Sequence, residues 1–399
     1  VLSAVRRVGG VVIRRLGLLP GGVADGLGED DSLAGRVLAS RVAVFFPDPP
    51  ENLYQLRQWY GALDALDAEM GVTVVTQDSR TARAVREETG LDVVVAARTR
   101  TVDALLRDGE VRVVLYVGHA HTNAVALRSI EVAHVFLAHG DSDKAVSVSN
   151  QVKGFDVTLV AGQAAIDRYR ASMLFFDADA RLRVIGRPQL PEGSHRSGTT
   201  VMYAPTWEGS QAANAYSSVV SHGEAIVASL LAGGWQVRYR PHPRLGKSDA
   251  RFREADARIR AAIEAGGGTV DLTPDAGAAM READVLITDV SAMSTDWLSQ
   301  RRPLIVAEPT DPRALPTTGS LLHSSVPRLA ADAADEAAAL VTATVGDPAH
   351  RPLLDRLAAH YLGGMSGEES LAAFITTCAR IAAERDEAVR VRESGHAHP

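Results

Sequence analysis

Cys378 is the only cysteine in a chain of 399 residues. One thiol excludes an intramolecular disulfide, a zinc site built on several cysteines and a dithiol redox couple, and it fits a reducing compartment. Long apolar runs are missing too: charge or turn residues interrupt each one, so no segment reads as a transmembrane helix. Nor does any repeat of solenoid length occur. A formal net charge of -7 argues against a surface that grips a nucleic acid polymer, although a local basic cleft can still hold a pyrophosphate. Hydrophobic residues at 46% against 23% charged exclude general disorder. The length suits two domains, each able to bury its own core.

Residues 1–19 alternate apolar positions with Arg6, Arg7, Arg14 and Arg15. Two readings stand level: a basic amphipathic helix lying on an anionic membrane surface, weakened by Gly9 and Gly10, or a segment packed on the body or frayed from it. The arginines break any signal-peptide core. Residues 21–31 read as a joint. Beyond it, short β-rich runs alternate with helical stretches, the pattern of doubly wound α/β domains. Strands are expected at 42–46, 72–76, 93–96, 111–117, 135–138 and 157–160, with helices near 53–70 and 164–172. A turn-rich linker at 188–198 separates these from strands at 201–203, 237–239, 285–287 and 304–306, with a helix at 224–231. Ala-rich segments at 330–345 and 371–389 would be closing helices, one of which can cross back to the first domain.

Four polar clusters lie just past predicted strands. His139-Gly140-Asp141-Ser142-Asp143-Lys144 sets an imidazole beside a glycine turn. Tyr203-Ala204-Pro205-Thr206-Trp207-Glu208 ends the strand begun at Thr200. In Arg240-Pro241-His242-Pro243-Arg244 the prolines restrict the backbone of the histidine they flank, and two arginines suit an anion site. The fourth cluster runs from Thr288 to Asp296, where Ser291 can N-cap a segment reaching Gln300. Free amides at Ser291 and Ala292 and the positive end of a helix dipole would draw a phosphate there. In open α/β sheets ligands bind outside the carboxyl ends of the strands, so the four clusters can converge on one cleft. His119 and His121 form a His-x-His pair with no carboxylate or cysteine set near them in sequence, so a polar loop is favoured over a metal site, and no metal or other cofactor is expected.

In order and spacing these clusters resemble the CDP-glycerol glycerophosphotransferase family, whose members build teichoic acids and related capsule polymers. The resemblance spans roughly residues 110–375. Its His-Gly-x-x-x-Lys segment corresponds to His139 through Lys144, its Tyr-Ala-Pro-Thr to Tyr203 through Thr206, its His-Pro to His242-Pro243, and its Thr-Asp-Tyr-Ser-Ser-x-x-x-Asp to Thr288 through Asp296. Gly186-Arg187-Pro188 is close to the Gly-x-Pro-Arg found before the second domain. Val290 and Ala292 replace the usual tyrosine and second serine, with Ser291, Ser294 and Thr295 left to supply hydroxyls. Asp141-Ser142 replaces Thr-Pro, and Glu208 stands where a basic residue is often found, which points to a more acidic site and a different acceptor.

The resemblance implies two Rossmann-like domains facing a cleft, the GT-B type of α/β fold. Residues 1–30 would be a basic extension, 31–190 an acceptor-side domain with the catalytic histidine, 198–365 the nucleotide-donor domain, and 366–399 a closing helix and tail. It also implies attack by an acceptor hydroxyl on the β-phosphorus of CDP-glycerol or a related CDP-polyol, with release of CMP. His139 would take the hydroxyl proton, since histidine titrates near neutral pH. His242 and Arg240 would stabilise the leaving diphosphate, with Thr206, Ser291, Ala292, Ser294 and Thr295 around the phosphates. Gly140, Asp141, Lys144, Asp289 and Asp296 would support the site, Asp289 by ordering its turn or meeting a hydroxyl. The acceptor would be a lipid-linked polyol phosphate or glycan, reached from the cytoplasm at the inner face of the plasma membrane. A GT-B nucleotide-sugar glycosyltransferase and a non-catalytic binding module are the alternatives.

Overall fold

The computed structural model describes residues 28–138, 140–144, 147–190, 198–209, 215–273, 276–314 and 320–396. The basic segment 1–19 and His139 both lie outside them. So do residues 191–197 of the expected linker.

The first sheet contains β1 (Val42–Phe46), β2 (Val72–Thr76), β3 (Asp92–Val95), β4 (Val113–Tyr116), β5 (Ala133–Phe136), β6 (Val157–Val160) and β7 (Leu182–Val184). Their spatial order is β3-β2-β1-β4-β5-β6-β7, and every pairing is parallel. The strands are short, and those inside the sheet are buried along their whole length, which favours apolar and β-branched residues there. Along β1 the burial alternates: Val42, Val44 and Phe46 join one apolar cluster and Ala43 and Phe45 the other, on opposite faces of the pleat. Helix Tyr60–Met70 covers the first of these faces and helix Thr99–Asp108 the second. The helix expected at 53–70 is interrupted, with Tyr54–Arg57 and Tyr60–Met70 as separate pieces. Between them Trp59 is buried, and its indole N–H donates to the Ala138 carbonyl at 2.8 Å.

The second sheet contains β8 (Thr200–Ala204), β9 (Gln236–Tyr239), β10 (Thr269–Val270), β11 (Val285–Thr288), β12 (Leu304–Ala307) and β13 (Arg328–Leu329), ordered β10-β9-β8-β11-β12-β13 and again wholly parallel. Met202 and Ala204 face one core, Val201 and Tyr203 the other. The result is two doubly wound Rossmann-like domains facing a cleft, the GT-B arrangement. In each sheet the strand order reverses beside the first strand, between β1 and β4 and between β8 and β11. These are the switch points where a crevice opens at the carboxyl ends of the strands. Thr206 follows β8 and Ser291 follows β11, so the second crevice carries two of the four clusters.

Helix Gly367–His396 returns to the first domain. Phe374, Cys378, Ile381 and Ala382 are buried in the same cluster as Val42 and Trp59, and the Trp59 and Phe374 rings lie 5.4 Å apart. Burial pushes the Cys378 thiol up to about 12, so it remains protonated and acts as a small core residue. Among the described residues no helix is long and apolar enough to cross a membrane.

Candidate active site

A cavity of about 1140 Å³ lies where the carboxyl ends of the two sheets face each other. Gly140, Asp141 and Lys144 line it from the first domain. Thr206, Arg240, His242, Ser291, Ala292 and Asp296 line it from the second. All four clusters therefore reach one cleft. Ala138, held at a left-handed φ of 57°, and Gly140 flank His139 and both border the cavity.

Close approach between the domains depends on Gly140: a Cβ there would come within 2.8 Å of the Ala292 Cβ. Lys144 makes the polar contact across the same gap, donating from Nζ to Thr206 Oγ1 at 3.0 Å and lying 5.4 Å from the centre of the Tyr216 ring. Burial lowers its ammonium pKa to about 8, against a smaller opposing pull from Asp289. Arg187 grips Asp296 with two bonds of 2.9 Å, joining the segment after β7 to the helix Ala292–Trp297. Paired planar forks of this kind fix orientation as well as charge.

Asp289 takes the role of ordering a turn. It is fully buried and accepts backbone N–H bonds from Thr206 at 2.7 Å and Ser218 at 3.2 Å. Burial raises its carboxyl to about 6 despite these bonds. Asp141 is likewise tied up, paired with Arg168, which also donates to Asp143 at 2.7 Å. The other oxygen of Asp143 receives Ser320 Oγ at 2.6 Å and the Tyr361 hydroxyl at 2.7 Å. This cluster anchors the loop that carries His139 to the second domain and to helix His350–Leu362.

Several expectations need correction. Ser294 and Thr295 are fully buried and line no part of the cavity; Ser294 Oγ donates back to the Ser291 carbonyl at 2.7 Å, because these positions fall on the core side of the helix. Ser291 occupies the N-cap position, but its hydroxyl makes no capping bond and meets Thr288 Oγ1 at 3.3 Å. Arg240 faces the cavity with Asp271 as a partner at 3.1 Å, so its charge is partly balanced. Arg244, the second arginine of that cluster, does not line the cavity; its guanidinium lies 4.3 Å from the centre of the Trp207 ring. Glu208 adds no acid to the cleft, since its carboxylate accepts from Gly246 N, Ser248 N and Ser248 Oγ in a neighbouring loop.

His242 Nδ1 accepts the Arg244 backbone N–H at 3.1 Å, which leaves the proton of the neutral ring on Nε2. Tyr54 from the first domain meets the same ring edge-on at 5.8 Å, and Trp207 stacks at 6.4 Å. Sequence reasoning passed over Tyr54, Trp207 and Gln189 as site residues, all of which line the cavity. Trp207 and Gln189 adjoin motifs already read, Thr206 and Pro188, and adjacency could have found them, whereas nothing local marks Tyr54, which reaches the cleft only through the packing of the domains. His119, in the loop after β4, lines it as well. Its ring stacks on Phe136 at 4.4 Å. Among the described residues no group of three or more His, Cys, Asp or Glu side chains is placed to hold a metal ion.

Residues 177–311 match the model of the CDP-glycerol:poly(glycerophosphate) glycerophosphotransferase family. The family resemblance read from the motifs is borne out. No curated protein matches the chain in sequence. Among solved structures it is similar to the wall teichoic acid polymerase TagF soaked with CDPG, with a TM-score of 0.55 and 13% identity over 97% of both chains. It is also similar to a putative UDP-N-acetylglucosamine 2-epimerase from Listeria monocytogenes, with a TM-score of 0.55 and 13% identity over 84% of this chain and 96% of that one. At these identities the likeness is one of fold.

Proposed function

We propose that this glycerophosphotransferase-like chain is an enzyme that transfers glycerol phosphate, or a related polyol phosphate, from a CDP-activated donor to a hydroxyl of a cell-wall or capsule polymer precursor. The observation that carries this reading is the joining of the His-Gly loop to the phosphate turn. Lys144 reaches Thr206, and Gly140 packs against Ala292, so Ala138, Gly140 and Lys144 of the His-Gly segment line the same cleft as His242 and Ser291.

In this reading the acceptor oxygen attacks the β-phosphorus. A P–O bond forms, the bond to the oxygen of CMP breaks, and the hydroxyl proton passes to His139. His242 Nε2–H and Arg240 face the departing phosphate and offset its charge, with the amides at Ser291 and Ala292 as further donors. The acceptor is lipid-linked, and the arginines of residues 1–19 hold the protein at an anionic inner leaflet.

Incubation with a panel of CDP-polyols and nucleotide sugars tests the reaction class. CMP release with growth of the acceptor supports it; release of a nucleoside diphosphate would make the chain a glycosyltransferase, and no turnover with any donor would make it a binding module. His139→Ala is expected to lower turnover by roughly two to four orders of magnitude while donor affinity holds. Lost donor affinity with normal turnover would remove His139 from the role of base.

A further inference from the structure

His119 and His121 stand apart from the four clusters in sequence, and the fold separates them: His119 lines the cavity and His121 does not. His119 follows β4, which pairs with β1 where the order of the first sheet reverses. It therefore stands at the crevice of the first domain, as Thr206 after β8 stands at that of the second. The strand register ties it to the His-Gly segment. β4 and β5 run side by side with Tyr116 opposite Phe136, and beyond that pair the Leu137 N–H donates to the Tyr116 carbonyl at 2.8 Å. Neighbouring strands lie about 4.8 Å apart, so the loop after β4 leaves the sheet beside Ala138 and Gly140, which border the same cavity.

The ring is held in place and left open. It stacks on Phe136 at 4.4 Å, and the buried Asn123 side chain donates to the Gly118 carbonyl at 2.7 Å, which fixes the turn that carries it. His119 is nevertheless exposed, and neither ring nitrogen has a hydrogen-bond partner among the described residues. Neighbouring polar groups on that wall are engaged with one another: Arg57 Nε donates to Glu88 at 2.8 Å, the Tyr60 hydroxyl to Glu88 at 3.1 Å, and Gln58 Nε2 to the Tyr54 carbonyl at 3.3 Å. A neutral imidazole presents one N–H donor and one acceptor nitrogen. Phosphate oxygens suit only the first, whereas a hydroxyl, which donates and accepts, suits either.

We propose that His119 is an acceptor-binding residue that hydrogen-bonds a hydroxyl of the acceptor close to the one that attacks. Thr206, Arg240 and His242 lie on the opposite wall, in the second domain, so the group at His119 belongs to the other substrate. The proposal rests on the transferase reading above for the naming of that substrate. The hydroxyl can belong to a polyol phosphate terminus or to a sugar, and the experiment separates the two sources.

Calorimetry on the full chain, loaded with CDP, would titrate a short glycerol phosphate oligomer and a methyl N-acetylhexosaminide into the native protein, His119→Phe and His119→Gln. Phenylalanine keeps a ring over Phe136 and removes both nitrogens; glutamine returns a donor and an acceptor. One probe should bind the native protein, and its identity assigns the hydroxyl to a polyol or to a sugar. His119→Phe should weaken that probe by roughly three- to ten-fold, with His119→Gln between, while CDP affinity and melting temperature hold. In turnover His119→Phe should raise the acceptor KM by a similar factor and leave the donor KM alone. Equal probe affinity in native protein and His119→Phe overturns the proposal. So does a loss of CDP affinity, a fall in kcat with unchanged acceptor KM, or binding of neither probe by the native protein. If the native protein transfers to no acceptor while probe binding still depends on His119, the transferase reading fails and the hydroxyl site stands; transfer that is indifferent to His119→Phe sinks the proposal alone.

Discussion

Arg168→Met should destabilise the protein strongly, and more so at neutral than at acid pH. The native guanidinium is almost fully buried, with 4% of its side chain exposed, between Asp141 and an Asp143 that is 2% exposed. Methionine fills much of the same volume but leaves two carboxylates facing each other without their cation. Asp143 retains the hydroxyls of Ser320 and Tyr361, whereas burial has already raised the Asp141 carboxyl and Arg168 is the main influence holding it down. Removing one member of a buried ion pair costs about 3–5 kcal/mol. At roughly 2–4 °C per kcal/mol for domains of this size, the melting temperature should fall by about 10 °C. The pH dependence follows from the direction of the Asp141 shift. A carboxyl whose folded pKa lies above its unfolded value contributes stability at low pH and loses it as pH rises through the folded value. Without the cation that folded value climbs further, so the deficit should shrink as pH falls from about 7.5 to about 5. Scanning calorimetry of both proteins across that range measures it. A loss below about 1 kcal/mol, or a deficit that widens toward acid, would refute the ion-pair account.

Much of this site was legible because its parts sit at strand ends. The central strands β1, β2, β4, β8, β11 and β12 announce themselves as β-branched runs between turns, since both faces must be apolar. Edge strands such as β10 and β13, with two residues each, carry no such run and were not foreseen. Once the sheet is parallel, the loops after β5, β8, β9 and β11 must share one end of their sheets, which is why four weak motifs were informative together. Side-chain direction was less legible. Ser294 and Thr295 belong to the phosphate motif by sequence, yet three and four residues past Ser291 they point into the core. Pairs such as Arg187 with Asp296, or Lys144 with Thr206, join residues far apart in the chain. They exist only when both domains are folded and docked, so no local pattern encodes them.

Asp289→Asn keeps the shape of the side chain but sets an NH₂ against one of the two backbone N–H donors, from Thr206 or Ser218, now held by carboxylate oxygens. It should cost about 1–3 kcal/mol in urea unfolding and weaken donor binding by loosening the Thr206 turn; unchanged values for both would remove Asp289 from that role. Arg187→Ala leaves Asp296 unpaired on the cavity wall and should raise the KM for donor more than it lowers kcat, because the charge now opposes phosphate; a fall in kcat alone would place the pair elsewhere in the cycle. The last expectation concerns Lys144, whose ammonium is held down to about 8 from an ordinary 10.5 by burial. A group with a depressed folded pKa contributes stability above its unfolded value and loses it as pH falls through the folded one. Relative to Lys144→Met, the native protein should therefore lose stability as pH drops from 10.5 to about 8, and the difference should level off below that. The missing bond to Thr206 adds an offset that does not vary with pH. Denaturant melts of the two proteins at several pH values isolate the slope, and a flat difference across the alkaline range would show that the amine is solvated and does not bridge the cleft as its 3.0 Å contact with Thr206 indicates.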